Sequence, residues 1–212
     1  MASQMPTQQK SAMSKPFNWA FIPIAIIVII LGFMTMGYYN TIQTLDEDQS
    51  AAAAEVINQY KRRSDLITNL ANTVQGYSDH EKSIFTDIAA SRAKLNELQI
   101  NPNDFQDPQK LEAYELAQTS MKQQLSRLLV LVESYPDLKA SELYKGLMVQ
   151  LEGTENRISV ARKRYINAVK EYNTTLRRVP YLFVAKVFGY APLPQFDIDD
   201  PMIDQPPVVN FN

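Results

Sequence analysis

The 212-residue sequence contains no cysteine and only one histidine, His80. The missing cysteine excludes disulfides, thiolate metal sites, a cysteine nucleophile and a lipoprotein anchor, and it leaves the compartment open. The pair His80-Glu81 begins like a zinc-protease motif, but that motif needs a second histidine four residues on, where Ile84 stands. Serine or cysteine triads would have only His80 as base, and no serine-containing elbow is present. Six glycines in the whole chain form no phosphate-cradling loop. No arrangement meets the geometric requirements of an active site, so the expectation is a protein without catalytic residues, metal or cofactor.

Charge is also missing from one long stretch. No Asp, Glu, Lys or Arg occurs between Lys15 and Asp46, and all 23 acidic residues lie at Asp46 or later. Within this gap Phe17 to Met36 reads FNWAFIPIAIIVIILGFMTM, about the twenty apolar residues a helix needs to cross a bilayer. Pro23 falls in its first turns, where proline is tolerated. Trp19 and Tyr38-Tyr39 are placed as interfacial aromatics at its two ends. A cleaved signal peptide is the competing reading, but Thr35-Met36-Gly37 is a poor cleavage site and the apolar core is long for one. Lys10 and Lys15 precede the span, and no Lys or Arg follows it until Lys61. The positive-inside rule then puts the N-terminus in the cytoplasm and the remainder outside. Without those two lysines the chain holds 19 basic against 23 acidic residues. A weakly acidic domain with no basic face argues against nucleic acid as a partner.

Beyond the span, apolar and small residues recur at helical spacing. The first run takes Ile42, Leu45, Ala52, Val56, Tyr60, Ile67, Leu70 and Val74, with Gln49 and Arg63 on the same seam. Ile84, Ile88, Leu95 and Leu98 form a second run, and Tyr114, Ala117, Met121, Leu125, Leu128 and Val132 a third. The last run, Leu147, Leu151, Thr154, Ile158, Ala161, Tyr165, Ala168, Tyr172 and Leu176, keeps a 3.5-residue period. Gly76 is expected to close the first helix in the left-handed conformation, and Ser78-Asp79-His80-Glu81 to open the second as a capping box. Asn101-Pro102-Asn103 reads as a loop, Asp107-Pro108 as a cap with proline at the first helical position, and Ser141 as the cap of the last helix. The spacing predicts an all-α protein: a transmembrane helix followed by an antiparallel up-and-down four-helix bundle with helices over 38–75, 78–99, 108–134 and 140–178. The expected divisions are a tail (1–16), the span (17–37), the bundle (38–178), an apolar segment (179–191) and a proline-rich acidic tail (192–212).

Two groups of residues are candidates for function. Antiparallel docking of the first and last helices brings Arg62, Arg63, Asp65 and Asn69 level with Glu155 and Arg157, so that Arg62 or Arg63 would pair with Glu155 and Asp65 with Arg157. The plainer reading is structural ion pairing on a narrow bundle; the other is a register-setting or partner-binding patch. The same topology returns Val179 to Tyr190, VPYLFVAKVFGY, to the lipid surface. Tyr181, Phe183, Val184 and Phe188 are its candidate membrane-interface residues; packing as a strap on the bundle base is the alternative.

At these residues the sequence resembles the LemA family of bacterial membrane proteins. The matching segments are Gln59 to Ile67, Asn69-Leu70, Thr73 to Tyr77, His80-Glu81 and Ser91-Arg92-Ala93. Denser matches follow at Glu133 to Ala140, Leu151 to Ile158, Ala161-Arg162, Arg164-Tyr165, Glu171-Tyr172-Asn173, Pro180 and Ala185 to Tyr190. Thr68 stands where the family favours proline, Gln75 where it favours lysine and Ile166 where it favours asparagine; without the proline the first helix should run straighter. The resemblance implies one membrane helix followed by an antiparallel four-helix domain, and it assigns no catalytic residue. It also implies scaffolding or membrane organisation, by analogy with members tied to magnetosome-membrane formation or to membrane-bound peptidases.

The reading that follows is a non-enzymatic, single-pass scaffolding protein of the bacterial inner membrane. Its expected partners are the lipid bilayer and further copies of itself. An adaptor for another membrane protein, such as a protease in envelope stress, is the alternative.

Overall fold

The computed structural model describes residues 21–77 and 81–194, which are helical with no strand among them. The expected capping box at 78–80, the tail before the span and the acidic tail from 195 lie outside the described residues. The chain divides into two compact units, 1–37 and 38–212. Helix α1 (Phe21–Gln75) contributes to both. It is followed by α2 (Lys82–Glu97), a 3-10 turn (Pro102–Gln106), α3 (Pro108–Val132), a short α4 (Pro136–Ala140), α5 (Glu142–Arg177) and α6 (Tyr181–Phe188).

In the first unit every described side chain from Ile22 to Met36 is exposed. A helix that is apolar all round and packs against nothing is stable only in an apolar medium. Thr35 fits that setting, because its hydroxyl donates to the Leu31 carbonyl at 2.8 Å and needs no water. This is the one helix among the described residues long and apolar enough to cross a membrane.

The second unit is built around three clusters that share α1 and α5. Ile42 lies with Tyr172, Leu176, Val184 and Ala185. Val56 and Tyr60 lie with Ile158, Ala161 and Tyr165. Leu66 to Val74 join Leu151 and Tyr144. Rising numbers in α1 meet falling numbers in α5, so the two helices run in opposite directions. Helices α2 and α3 do the same: Asp87 meets Arg127 at 2.7 Å, and Ser91 meets Ser120 at 3.3 Å. Ile84 and Ile88 of α2 and Met121, Leu125, Leu128 and Val132 of α3 complete the last of these clusters, beside Leu66 to Val74.

The ends of the helices have local causes. Asp107 accepts from the Gln109 amide at 3.0 Å ahead of Pro108, and Ser141 accepts from the Tyr144 amide at 3.3 Å, as the sequence predicts. Gly76 departs from expectation, because Gly189 is the one glycine with positive φ among the described residues. Helix α1 ends instead in a tight turn with the Tyr77 amide on the Val74 carbonyl at 2.9 Å. Helix α2 starts later than the periodicity suggests, at Lys82, with Glu81 at its N-cap and no side-chain cap. Thr68 sits mid-helix with its hydroxyl on the Ser64 carbonyl, and α1 passes through the position unbroken.

Two elements fill gaps that hydrophobic spacing leaves blank. Pro136–Ala140 adds a helical turn that buries Leu138 completely. In the loop after α2, Asn101 and Asp104 cap each other across the 3-10 turn. That turn inserts Phe105 between Tyr165 and Tyr114, with ring centroids 5.4 and 6.1 Å away. Phe105→Ala is expected to destabilise the full-length protein by about 3–5 kcal/mol, the usual loss for a fully buried phenylalanine. Denaturant unfolding in detergent, followed by circular dichroism, measures it; a loss below about 1 kcal/mol would show that this aromatic group is not part of the core.

Candidate functional site

A polar belt crosses the second unit about three-quarters of the way along α1. Arg63 sits on the buried seam of α1, between Tyr60 and Ile67, with 4 % of its surface exposed. Its guanidinium lies over the Tyr60 ring at 4.9 Å. It donates to Glu155 Oε1 on α5 at 3.3 Å and to Gln118 Oε1 on α3 at 2.7 Å. One side chain thus ties three helices together. The expected pairing of Arg63 with Glu155 is present; Arg62 is exposed and Asn69 lies on the outer face of α1.

The expected pairing of Asp65 with Arg157 is not present. Asp65 is two residues on from Arg63, about 200° round the helix, on the side facing α2, and accepts from Arg92 at 2.8 Å. Arg157 donates instead to Gln59 at 3.2 Å and to the Thr154 hydroxyl at 2.8 Å. Sequence reasoning missed Gln118 and Arg92. Gln118 is one position off the apolar run of α3, at Tyr114 plus four, and such a polar residue beside a seam is the signal that could have marked it. Arg92 sits in one of the matched family segments, Ser91-Arg92-Ala93, a signal that marks the position but not its partner.

Burial shapes the chemistry of the neighbouring phenols. Loss of water pushes Tyr114 and Tyr165 up to about 12 and raises Tyr60, against the opposing pull of Arg162 and Arg63. These groups stay protonated and act as core residues with a polar tip. Beside them a shallow cleft of about 220 Å³ opens among α1, α2 and α3, bordered by Asp65, Arg92, Tyr114 and Gln118. Those polar groups are already engaged with one another. Among the described residues no cluster of His, Asp or Glu has the makings of a metal site.

The second candidate, 179–191, forms helix α6 and a C-terminal strap. Val184 and Ala185 are buried against Ile42, Tyr172 and Leu176. Val184, expected at the membrane interface, is therefore a core residue, because it lies on the inward side of α6 with Ala185 and the partly buried Tyr181. Tyr181 packs edge-on against Tyr38 at 5.0 Å, and Phe188 tilts onto Tyr39 at 4.8 Å. Phe183 is exposed. Gly189 ends α6 at φ 79°, a conformation glycine adopts without strain, and the Tyr190 amide then reaches the Ala185 carbonyl. Asn173 of α5 fixes the chain beyond: its amide donates to the Leu193 carbonyl at 2.9 Å and accepts from the Leu193 amide at 2.8 Å. The Tyr190 hydroxyl donates to Gln43 of α1 at 2.6 Å.

The family model described as LemA family matches residues 52–211, which takes in Arg63, Glu155, Asn173 and α6. The chain belongs to the LemA family. Curated relatives include Magnetosome protein MamQ 2 and MamQ 1 of Paramagnetospirillum magneticum, each 24% identical over 188 residues, 81% of this chain and 69% of the relative. Magnetosome protein MamQ of Magnetospirillum gryphiswaldense is 24% identical over 186 residues, 79% of this chain and 68% of the relative. The apolar stretch Ile22–Met36 precedes the LemA match, so the helical unit and the strap carry the family signal.

Two outcomes are expected for the belt of this LemA protein. Gln118→Ala removes a short bond to a buried cation and should cost about 1.5–3 kcal/mol. Glu155→Ala should cost less than about 1 kcal/mol, since the Glu155 side chain is 41% exposed and Arg63 keeps Gln118. Denaturant midpoints of the two variants check the order, and the reverse order would assign the anchoring of Arg63 to Glu155. The phenols give a pH prediction. Their folded-state values lie above the unfolded 10.0, so the stability they contribute is complete below pH 10 and is lost as pH rises toward 12. Tyrosinate absorbance near 295 nm and helical dichroism should therefore change together in that interval, and full tyrosine ionisation with helix content intact would contradict it.

Proposed function

We propose that this LemA-family protein is a single-pass, non-enzymatic scaffold of the bacterial inner membrane. Its helical unit forms an up-and-down four-helix bundle that self-associates. The observation that carries the reading lies in α1: an exposed apolar stretch, Ile22–Met36, continues in the same helix into the core-forming positions from Ile42 onward. Anchoring and folding are thus built into one element. The polar residues of the belt are spent on holding α1, α3 and α5 together rather than on converging around a substrate-sized cavity, which favours a structural role over a catalytic one.

Self-association is supported by apolar side chains left outside the cores. Leu116 and Val130 on α3 and Leu143, Val149 and Val160 on α5 are all more than half exposed. The relatives named as magnetosome proteins favour a membrane-organising role. Lys10 and Lys15 ahead of the span favour an N-terminus in the cytoplasm and a bundle outside it.

Light scattering and single-particle imaging of the full-length protein in mild detergent test this reading. A discrete assembly of many copies is expected. A clean monomer would overturn self-association and move the search to an adaptor role with a different membrane protein.

A further inference from the structure

Helix α6 has a second face. Its inward side carries the buried Val184 and Ala185 and the partly buried Tyr181, while Phe188, 54% exposed, lies on Tyr39 at the edge. On the opposite side Phe183 is 63% exposed, Val187 79%, and Val179 just before the helix 70%. Phe183 and Val187 lie one turn apart on α6, and Val179 is exposed in the turn that precedes it. Large side chains this open, in contiguity, mark a surface that is covered by something other than water.

The charge around this stripe is unlike that of the rest of the unit. From Arg177 to Pro194 there are three cations, Arg177, Arg178 and Lys186, and no Asp or Glu. The remainder of the domain is net acidic. Lys186 lies on the outward face of α6 between Phe183 and Val187, where its stem can run along apolar surface while its ammonium reaches a polar boundary. The nearest acidic residues on the packed elements are Asp46 on α1, whose charge reaches Tyr190, and Glu171 on α5, which lines one cleft with Arg178.

The chain itself fixes what lies nearby. Tyr181 touches Tyr38 and Phe188 touches Tyr39, and Tyr38 is covalently next to Gly37, the end of the apolar stretch. Helix α6 therefore packs on Tyr38 and Tyr39, the first residues of the second unit. Four tyrosines, Tyr38, Tyr39, Tyr181 and Tyr190, gather there, the residue type that populates the membrane–water boundary.

We infer that the outward face of α6, Val179, Phe183 and Val187 with Arg177, Arg178 and Lys186, is an interfacial helix that lies in the headgroup layer of an anionic phospholipid bilayer. An interfacial helix needs an apolar face and flanking cations, and α6 with its flanks supplies both. The inference rests on the membrane-anchored reading above, and the test separates the two. It also fixes the role of Asn173 and Gln43, whose bonds to Leu193 and Tyr190 hold the strap so that α6 keeps its apolar face outward.

The natural absence of cysteine permits single labelling sites in the full-length protein. Phe183→Cys, Val187→Cys, Val160→Cys and Leu31→Cys variants, each carrying an environment-sensitive fluorophore, are reconstituted in phosphatidylcholine–phosphatidylglycerol vesicles. Quenching is read with nitroxide-bearing lipid and with aqueous iodide. Labels at 183 and 187 are expected to lose most of their emission to the nitroxide lipid and little to iodide, and the label at 160 the reverse. The label at 31, inside the apolar stretch, reports on anchoring alone. If 31 is quenched by lipid while 183 and 187 respond to iodide like 160, the interfacial assignment of α6 is overturned and the anchor stands. If 31 escapes lipid quenching, the anchored reading itself fails. Shielding of 183 and 187 from both quenchers would mean that protein covers the face, and would equally overturn the inference. Arg177→Gln, Arg178→Gln and Lys186→Gln combined should lower lipid quenching at 187 and leave 31 unchanged; no change at 187 would remove the anionic headgroup from the assignment.

Discussion

Residues 42 to 74 of α1 supply side chains to each of the three buried clusters of the helical unit, and this shared seam is the constraint on which the other contacts depend. A helix alone in water gains too little from its own hydrogen bonds to be stable, so its seam must be covered along its whole length. Helix α5, about 54 Å long by its 36 residues, is the element long enough to cover it. The shorter α2 and α3 complete the covering over only part of that length. The strap and α6 close the remaining end, where α1 and α5 would otherwise leave Ile42 and Leu176 exposed.

Polar residues within that seam limit how the helices can slide. A purely apolar seam between long helices tolerates shifts by a heptad, because each layer resembles the next. Arg63 removes that freedom. Its partners on α3 and α5 exist at one register only, and a shift would bury a cation without them, a far larger loss than the modest gain from the pair itself. Gln49 plays a similar part nearer the start of α1, buried and bonded to Asp46 at 3.2 Å. Both residues also carry an atom, Gln49 Oε1 and Arg63 Nε, with no hydrogen-bond partner among the described residues. Such groups are poor sources of stability and good markers of position.

What could be read from the sequence follows from the same physics. The apolar periods located the seams, and residues such as Ile42, Val56, Ile67, Met121, Leu128, Ile158 and Tyr165 are buried as their spacing requires. The caps at Asp107 and Ser141 were legible because each is a short polar residue just ahead of a periodic run. Phe105 and Leu138 were not, because each sits alone between prolines and polar residues, and a single apolar residue has no period. The polar belt was half legible. Heights along an antiparallel pair follow from counting residues, which brings Arg63 to Glu155; the rotation of each helix does not, which is why Asp65 faces Arg92 rather than Arg157. Val184 was misplaced for the same reason, since a segment not recognised as helical gives no means of dividing its apolar residues between two faces.

That division decides how the strap bears on function. Of the apolar residues in 179–190, those at 181, 184 and 185 close the core over Ile42 and Leu176. A tail serving only as a plug would place polar residues at the remaining positions, as the outer faces of α2 and α3 largely do. Instead Val179, Phe183 and Val187 are apolar, and the charges interspersed among them are all positive in a domain that is otherwise acidic. Exposed hydrophobic residues favour aggregation, and a cluster of cations beside the acidic domain adds no packing to offset that. Both features become favourable together only where an apolar layer and anionic groups lie side by side, which is the arrangement at a bilayer surface. The composition of this short segment therefore follows from two demands at once, closing the base of the helical unit on one face and meeting lipid on the other.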